Sequence, residues 1–589
     1  MTNEVHREDK KSYSYLQFVR DLIYFFKKDK TKALVLSLLR CVSGLLVLVV
    51  PFMSGLVIDE VTKPSANFEL VFVYLFFLFA SMLGGLLIRI FTNHYFELIS
   101  FQAVTKMRLL AFSKLLAQKL EWHEDENTGN KMQRITSGAR AMKDMYRAYI
   151  HELIEASIVI LATGWLFTFL NLKYVLIILV FVAVFGFTSA YFTRLDLLGQ
   201  RELNKKFEEI YGKLYEFAGN IFTVKSLGLT SALLVRGKES EADAFRVARK
   251  ARLNRSLKWG VSNAVLMIMT GVVLLVMLLD VKAGLISAGV FIACIGYLNE
   301  LRNALGRVLA YSDDIVEYKA ALERASEIYN LKSNEDSGAV IGAFSSLSFK
   351  DVSFKYKDKV VLNGFSLDVK KGEKVGIVGV SGAGKSTLFK LILGLYTVND
   401  GQVLINGVPV SEANKEKLAQ VITIVPQEIE VFNLSFKDNV TMGELTAFSE
   451  SRFKRSNVIA QCEKITNRLA LGIDTLIGEK GVRLSGGERQ RLGIARALYR
   501  DSDVVLFDEA TSHLDSHTEG EILKALHEGY ASKTVLFIAH RLSTLTSMDR
   551  IIVIDKGVIV ESGDFRRLLN KKGVFYKLYN EQKKLEREL

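Results

Sequence analysis

Six apolar runs occupy the first half of the sequence, and each is close to the ~20 residues that an α-helix needs to cross the hydrocarbon core of a membrane. The turn NLK at 171–173 joins the third run to the fourth, and DVKAG at 280–284 joins the fifth to the sixth, so each pair is predicted to form a helical hairpin. The sequence therefore predicts an all-α, six-helix transmembrane domain. Its spans are residues 33–58, 68–93, 150–172, 173–194, 259–281 and 284–306.

Length and composition indicate a second, soluble part of the chain. The 589 residues are too many for one compact core, and the 49% of hydrophobic residues are concentrated in the first half. Cys41, Cys294 and Cys462 have no CxxC spacing, so the sequence predicts neither a disulfide framework nor a cysteine metal site. The composition fits a membrane domain joined to a soluble one.

The net charge of +13 is compatible with nucleic-acid binding or with cationic cytoplasmic loops of a membrane protein. Lys63, Lys173 and Lys282 are the only basic residues in the three short connections between spans. The N-terminal arm and the long connections, 94–149 and 195–258, carry Lys and Arg throughout. The positive-inside rule therefore places both termini and both long connections in the cytoplasm, and we expect no nucleic-acid partner.

The long connections are proline-free and periodic, so the spans are predicted to continue into the cytoplasm as helices. Each is interrupted once, at 121–130 and at 217–229. A short crosswise helix that docks a cytoplasmic domain and a plain helix–helix turn both fit these interruptions. The segment SYLQFVRDLIYFFKK near the N-terminus is predicted to be a helix, either on the inner membrane face or packed against a domain.

Polar residues inside the spans are few. Arg40 and Arg89 stand alone, whereas a cluster lies toward the cytoplasmic end of the sixth span. Such groups usually face a bundle interior or a water-filled cavity, so substrate contact is one interpretation, and continuation of the helix into water is the other. The cluster consists of Asn299, Glu300, Arg302, Asn303 and Arg307.

After residue 346 the sequence changes to short β-rich runs that alternate with helical patterns. This alternation predicts an α/β domain with a largely parallel sheet. The predicted strands are LSFKDVSFKY, VVLNGFSLDV, EKVGIVGV, VLIN, ITIVPQ, DVVLFDE, TVLFIAH and IIVIDKGVIV.

The segment GVSGAGKST follows the strand KVGIVG and opens a helix, which is the context that a phosphate-binding P-loop requires. Gly382 and Gly384 let the backbone wrap the phosphates, Lys385 reaches the β- and γ-phosphates, and Ser386 supplies a Mg²⁺ ligand. The predicted nucleotide-binding residues here are Gly379, Ser381, Gly382, Ala383, Gly384, Lys385, Ser386 and Thr387.

Four further side chains are candidates for the same site. After the strand DVVLFD, Asp508 would hold Mg²⁺ through water, and Glu509 would act as general base, although an acidic pair after a strand also serves as a helix cap. His540 ends another strand, where it is either a γ-phosphate contact or a satisfied core histidine. Gln427 is placed to sense Mg²⁺ and water, and Tyr356 is suited to stack on a purine.

A second anion-binding loop occurs about a hundred residues later, in RLSGGERQRLGIARAL. Ser485, Gly486, Gly487 and Glu488 open a basic helix there, with backbone N–H groups directed toward negative charge. The chain's own nucleotide is already wrapped by the P-loop, so this second loop has no phosphate of its own to bind.

The order and spacing of these motifs resemble the ATP-binding-cassette (ABC) proteins. Six spans followed by one cassette is similar to the fused half-transporters of the exporter class, such as lipid A flippases and multidrug exporters. The resemblance implies a transmembrane domain over residues 1–335, a linker over 336–346 and a nucleotide-binding ATPase domain over 347–589. It rests on the P-loop, Gln427, LSGGE, Asp508 with Glu509, TSHLD and His540.

The resemblance also implies that LSGGE binds the γ-phosphate of ATP held by the opposite cassette, so that two chains close two sites by two-fold symmetry. It implies that Tyr356 stacks on adenine, that Gln427 couples Mg²⁺ to the membrane domain, and that Asp515 signals between the sites. His513 departs from the usual small residue. An intact Glu509 and His540 favour a homodimer, and the intact half of a mixed pair also fits.

The expected function is ATP-driven efflux or flipping of an amphiphile, such as a lipid, peptide or drug-like compound, across a bacterial-type inner membrane. The chain would use ATP and Mg²⁺ and contact membrane lipids. A nucleotide-gated channel or regulator and an importer on the same scaffold are the alternatives. The sequence does not specify the substrate.

Overall fold

The computed structural model describes residues 13–124, 128–331, 338–442, 448–478, 484–511, 514–529, 532–539 and 541–588. These residues form two compact units. The first contains residues 13–116 and 128–331, and the second contains residues 117–124 together with the residues from 338 onward.

The first unit is helical, and its long helices confirm that the transmembrane helices continue through most of the connecting sequence. Lys27–Asp29 forms a 3₁₀ turn and Tyr149–Leu153 a π-helical turn. The helices up to residue 329 are α1 Tyr15–Phe26, α2 Lys30–Val61, α3 Phe68–Leu116, α4 Leu120–Glu124, α5 Thr128–Ala148, α6 Ile154–Leu170, α7 Leu172–Gly219, α8 Ile221–Ser226, α9 Thr230–Lys282 and α10 Ala288–Tyr329, of which α4 belongs to the second unit.

In the described part of the chain, the six predicted spans lie in α2, α3, α6, α7, α9 and α10. Four of these, α2, α3, α7 and α9, are long and apolar enough to cross a membrane. Helix α6 is apolar but only 17 residues long, and it continues from the π-helical turn. The charged residues of α10 interrupt its apolar sequence.

Helices α2 and α10 approach each other closely because glycines face each other. A Cβ at Gly289 would lie 2.1 Å from the carbonyl oxygen of Gly55, and one at Gly296 would lie 2.7 Å from Cβ of Pro51. Asp59 accepts hydrogen bonds from the Gly289 N–H at 2.7 Å and from the Ser287 hydroxyl at 2.6 Å. A carboxylate of α2 thereby satisfies N-terminal groups of α10, which have no partner within their own helix.

The intramembrane arginines predicted from the sequence are paired within the helical unit. Glu155 on α6 forms salt bridges with Arg40, at 3.3 Å, and with Arg89. Arg40 also donates to Thr92 at 3.3 Å and to Asn93 at 3.2 Å. These contacts link α2, α3 and α6, so the pairing among helices supports the bundle-interior interpretation for Arg40 and Arg89.

The cluster on α10 makes a weaker contact. Arg307 lies 3.5 Å from Glu152, with both side chains about one-third exposed. Glu300 and Arg302 are half-buried, and Asn303 is exposed. These half-buried and exposed side chains lie near the end of the predicted span, and α10 continues beyond them to Tyr329, which fits continuation of the helix into water.

Helix α1 combines the two alternatives that its sequence left open. Phe18, Leu22 and Phe25 are buried in the first unit, and Tyr146 donates to the Leu22 carbonyl at 2.6 Å. Leu16 is 85% exposed, and Val19, Ile23 and Tyr24 are exposed beside it. The helix therefore packs on its neighbours and also leaves an apolar row available to lipid.

The second unit is the predicted α/β domain. Its helices after α10 are α11 Lys385–Ile392, α12 Lys415–Val421, α13 Phe436–Thr441, α14 Glu450–Ile459, α15 Glu463–Arg468, α16 Gly486–Tyr499, α17 Ser516–Gly529, α18 Phe565–Lys571 and α19 Val574–Glu588, with 3₁₀ turns at Val410–Glu412, Gly472–Asp474 and Leu542–Ser547. Its strands are β1 Ser346–Tyr356, β2 Lys359–Lys370, β3 Lys374–Gly379, β4 Asp400–Ile405, β5 Val408–Pro409, β6 Ile422–Val425, β7 Val504–Asp508, β8 Thr534–Ile538, β9 Arg550–Asp555 and β10 Val558–Gly563.

Among the described residues, the strands form two sheets. The larger has the order β10-β9-β3-β8-β7-β6, and all neighbours except β10 and β9 are parallel, which confirms the predicted sheet. The smaller sheet, β2-β1-β4-β5, is antiparallel and was not predicted separately. The run IIVIDKGVIV is two strands rather than one, because Lys556 and Gly557 both adopt positive φ, as a tight hairpin requires.

The first predicted interruption contains the short helix α4, and the second contains α8. Residues 117–124 pack with the second unit: Leu120 contacts the core that lines β1 to β3, and Lys119 donates to Thr397 at 3.2 Å. Glu124 accepts from the Tyr396 hydroxyl at 2.5 Å. The segment 117–124, with α4, is therefore docked on the second unit through these contacts, although neither α4 nor α8 has a buried residue.

Replacing Gly138 with alanine is expected to destabilise the first unit. Gly138 is buried on α5, and its new Cβ would lie 2.3 Å from Cβ of Ala325 on α10, so the helices must separate. We expect a loss of about 1–3 kcal/mol and a lower thermal unfolding midpoint in detergent. The matched control is Gly212→Ala on α7, where nothing lies within 4 Å and the better helix former should add roughly 0.5–1 kcal/mol. Equal midpoints for the two variants would contradict this packing.

Candidate nucleotide-binding site

The P-loop occupies the connection between β3 and α11, as the sequence predicted. Gly382 and Gly384 adopt φ of +82° and +98°, a backbone conformation that residues with a side chain rarely adopt. A Cβ at Gly379 would lie 2.3 Å from the carbonyl oxygen of Ile554. The buried strand β3 thus delivers the loop to the N-terminus of α11, where backbone N–H groups and the helix dipole favour an anion.

Lys385 is folded back onto this loop. Its ammonium donates to the carbonyl oxygens of Gly379 at 3.0 Å and Val380 at 3.2 Å. Burial lowers the pKa of Lys385, and the negative charges of Glu509 and Asp508 oppose that shift. The residue is therefore a desolvated cation beside two carboxylates, suited to contact with phosphate.

The acidic pair lies at the carboxyl end of β7, next to the P-loop. Ser386 donates to Asp508 at 3.0 Å. Burial raises the pKa of Asp508, the neighbouring Glu509 adds to the rise, and the hydrogen bond from Ser386 and the charge of Lys385 oppose it. A hydroxyl and carboxylates at this point are the hard oxygen donors that Mg²⁺ prefers, so the residues fit this ion.

Glu509 is held in an uncommon backbone conformation. Its φ is +51°, and its N–H donates to the Ile538 carbonyl at 3.2 Å. Its carboxylate accepts from the Gln427 side chain at 2.9 Å. Left-handed conformations at non-glycine residues are concentrated at functional sites, and here the turn brings the Glu509 carboxylate and the amide of Gln427 together.

A cavity of about 730 Å³ joins these groups. It brings together residues that are far apart in sequence: the P-loop, Gln427, Glu509 and Tyr356. Tyr356 is half-buried, because its ring packs at 5.2 Å from Tyr396 and 4.8 Å from Phe354. The cavity is large enough for a nucleotide, with an aromatic ring available to the base.

The sequence did not predict the contribution of α19. Leu578, Glu581 and Gln582 also line the cavity, and Gln582 accepts from the Leu542 N–H at 2.9 Å. They follow the last strand and carry no recognised motif, so only the apolar face of α19 hinted that this helix packs on the domain. Lys390, whose ammonium lies 5.6 Å from the Tyr356 ring, was likewise not predicted.

The second anion loop is a well-formed helix start. The Ser485 hydroxyl accepts from the Glu488 N–H at 3.3 Å, and Glu488 accepts from the Ser485 N–H at 2.8 Å. Burial opposes ionisation of Glu488, but hydrogen bonds from Ser485 and the charge of Arg468 lower its pKa overall. Ser485 and Glu488 thus form a capping box, and Gly486 and Gly487 begin α16 without side chains of their own.

The serine–glycine loop does not contribute to the described lining of the nucleotide cavity, which includes none of Ser485, Gly486, Gly487 and Glu488. Asp515 accepts from the Thr518 N–H at 2.9 Å, which makes it a helix cap, and this hydrogen bond lowers the pKa of Asp515. The candidates His540 and His513 lie outside the described residues. The geometry therefore gathers the P-loop, Tyr356, Gln427, Asp508 and Glu509, and leaves the serine–glycine loop apart from them.

Comparison with protein families agrees with both halves of the chain. A model described as ABC transporter transmembrane region matches residues 34–305, and one described as ABC transporter matches residues 362–512. An ATP-dependent lipid A-core flippase of Mannheimia succiniciproducens is 30% identical, with 92% of each chain covered. The corresponding flippase of Pseudomonas aeruginosa is 31% identical over 83% of this chain and 81% of its own.

A solved structure of a bacterial Atm1-family ABC exporter with ATP bound is also similar, with a TM-score of 0.88 and 25% identity over 94% of this chain and 98% of that chain. The similarity extends through the membrane and ATPase parts alike. This chain belongs to the ABC transporter family, as a half-transporter with a membrane-spanning region and an ATP-binding domain in one polypeptide.

Proposed function

We propose that the chain is one half of an ATP-driven exporter that moves an amphiphile across the membrane by alternating access. The observation that carries this proposal is the convergence of Lys385, Ser386, Glu509 and Gln427 at one cavity, with Asp508 bonded to Ser386 beside it. Relatives are named flippases and the similar structure is an exporter, so neither a nucleotide-gated channel nor an importer is favoured.

In this proposal, each side chain at the site has its own role in ATP hydrolysis. The P-loop N–H groups and Lys385 would bind the β- and γ-phosphates, and Tyr356 would stack on adenine. Glu509, oriented by Gln427, would accept a proton from the attacking water. Ser386 and Asp508, with Gln427, would hold Mg²⁺, which when bound neutralises charge that develops on the phosphate oxygens. His540 is proposed to contact the γ-phosphate.

The serine–glycine loop implies a paired arrangement. Ser485 opens α16, where the helix N-terminus favours an anion, and it is not among the described residues that line its own chain's cavity. We propose that Ser485, Gly486 and Gly487 complete the nucleotide site of a second copy, and that Asp515 communicates between the two sites. Two-fold symmetry then closes two identical sites, so a homodimer is the simplest assembly.

The proposed location is the inner cell membrane of a bacterial-type cell, with both termini and the ATPase domain in the cytoplasm. The distribution of Lys and Arg supports this orientation. We propose functional boundaries of 1–335 for the transmembrane domain, 336–346 for the linker and 347–589 for the ATPase domain. Residues 338–346 already pack on the second unit, with Phe344 1% exposed.

The proposed substrate is amphiphilic. The lipid A-core flippases act on a lipid, and the spans of this chain are apolar with few charges. Arg40 and Arg89 share Glu155, which reduces their availability to a substrate. A lipid or a lipid-like compound fits these helices better than a strongly charged solute.

Glu509→Gln is expected to reduce ATP turnover by at least about a hundredfold in nanodiscs, because a general base typically contributes factors of that size. Nucleotide affinity should be retained, since the amide keeps the shape of the side chain. The control is Glu416→Gln on α12, which makes the same change at an exposed position and should hydrolyse ATP normally. Full turnover by Glu509→Gln would exclude Glu509 as the base.

Mixing Lys385→Ala copies with Ser485→Ala copies is expected to restore hydrolysis that neither has alone. In a mixed pair, one site has both defects and the other has none. Random pairing makes half of the assemblies mixed, so turnover should recover to about one quarter of wild type. Reconstitution of each variant with itself is the control. Failure to recover, or full turnover by isolated single copies, would contradict composite sites.

A further inference from the structure

We propose that Tyr396 is a coupling residue that carries occupancy of the base pocket at Tyr356 to the segment Ala117–Glu124. This inference rests on the proposed function, because it takes the cavity beside Tyr356 as the site of the nucleotide base. In this proposal, binding of the base affects the membrane helices by a route that involves neither Gln427 nor the phosphates.

Three contacts carry the inference, and all lie within the second unit. The rings of Tyr356 and Tyr396 pack edge-on at 5.2 Å, with an interplanar angle of 86°. The hydroxyl of Tyr396 donates to Glu124 at 2.5 Å. Glu124 ends α4, and α4 follows α3 in the chain after only three residues, Ala117–Lys119. A continuous set of contacts thus runs from the base pocket to the chain that leads out of α3.

Tyr396 is tightly packed, so a change in the position of the Tyr356 ring would be passed on to Tyr396. Tyr396 is only 6% exposed, and Phe354 packs against its ring at 5.7 Å. The Lys390 ammonium lies 5.6 Å from the Tyr356 ring and 5.5 Å from the Tyr396 ring. Burial raises the pKa of Tyr396, and its hydrogen bond to Glu124 adds to the rise. The hydroxyl therefore stays protonated and donates to the carboxylate.

The Tyr356 ring has two states in this proposal: it is restrained when a base stacks on it and free to move when none does. Nucleotide binding shifts the equilibrium toward the restrained state. A stacked base restrains Tyr356, which narrows the positions open to Tyr396 and strengthens its hydrogen bond to Glu124. Because coupling is reciprocal, displacement of Ala117–Glu124 must weaken base binding by the same factor. A triphosphate without a base would engage the P-loop and leave this route unused.

Trp122 supplies a reporter on the segment itself. The sequence has three tryptophans, Trp122, Trp165 and Trp259, and the last two are exposed in the first unit, so Trp165→Phe with Trp259→Phe leaves a single signal on α4. The full-length chain in nanodiscs, in the Glu509→Gln background, is titrated with ATP and separately with inorganic tripolyphosphate. We expect ATP to change Trp122 fluorescence more than saturating tripolyphosphate does.

Tyr396→Phe keeps the ring and removes the hydroxyl. We expect the ATP concentration for half of the Trp122 change to rise by about fivefold, the lower end of coupling between linked sites, and the amplitude to fall to that of tripolyphosphate. Glu124→Ala should have the same effect, and the double variant should add nothing further. Glu124 is exposed, so its variant tests the route even if Tyr396→Phe folds poorly.

Thr397→Val is the matched control. It removes the neighbouring hydrogen bond from Lys119, at 3.2 Å, and leaves both tyrosines in place, so its Trp122 response should match that of the parent protein. A full wild-type response in Tyr396→Phe, additive effects of the two variants, or an equal response to tripolyphosphate would overturn the proposal. ATP turnover with Glu509 intact is measured separately, and its absence would instead contradict the proposed function.

Discussion

The hydrogen bond between Ser386 and Asp508 joins the P-loop to the acidic pair in the proposed catalytic site. Ser386 belongs to the helix that follows the P-loop, and Asp508 ends β7, two strands away from β3 in the sheet. Parallel strands bring their carboxyl ends to one edge, and this bond fixes the spacing there between the phosphate-binding backbone and the acidic pair. Glu509 and Gln427 are positioned relative to that contact, so a shift in it would misplace both.

The membrane helices depend on different physics. Water-driven burial contributes little between helices in lipid, so close approach and polar pairing decide which helices adhere. Small residues let α2 and α10 touch at Gly55 and Gly289, and Asp59 adds hydrogen bonds at the same crossing. Glu155 draws two arginines from α2 and α3 toward α6. Asp59, Glu155 and the two arginines thus serve to hold the helices together.

The sequence predicted what local patterns encode. Apolar runs located the spans, the P-loop was recognised from its motif between a strand and a helix, and the acidic pair was recognised from its place after an apolar strand. The antiparallel sheet was missed because alternation of strands and helices carries no information on which strands pair. Tyr396 and Glu124 are 272 residues apart, and neither belongs to a motif, so only the fold reveals their contact. The same reason hid α19 at the nucleotide cavity.

A site that contacts both the base and the phosphates of a nucleotide can distinguish intact nucleotide from inorganic phosphate. A site that contacts only the phosphates cannot. Gln427 contacts Glu509, the proposed general base, so in this proposal it responds to the γ-phosphate end of the nucleotide. Tyr356 also lines the cavity and packs on Tyr396. Phosphate and pyrophosphate could bind the phosphate-binding groups, but they have no base to stack on Tyr356. If both contacts must form before Ala117–Glu124 is restrained, the helices would respond to intact nucleotide and not to its inorganic products, because a ligand shifts an equilibrium only through differential contacts.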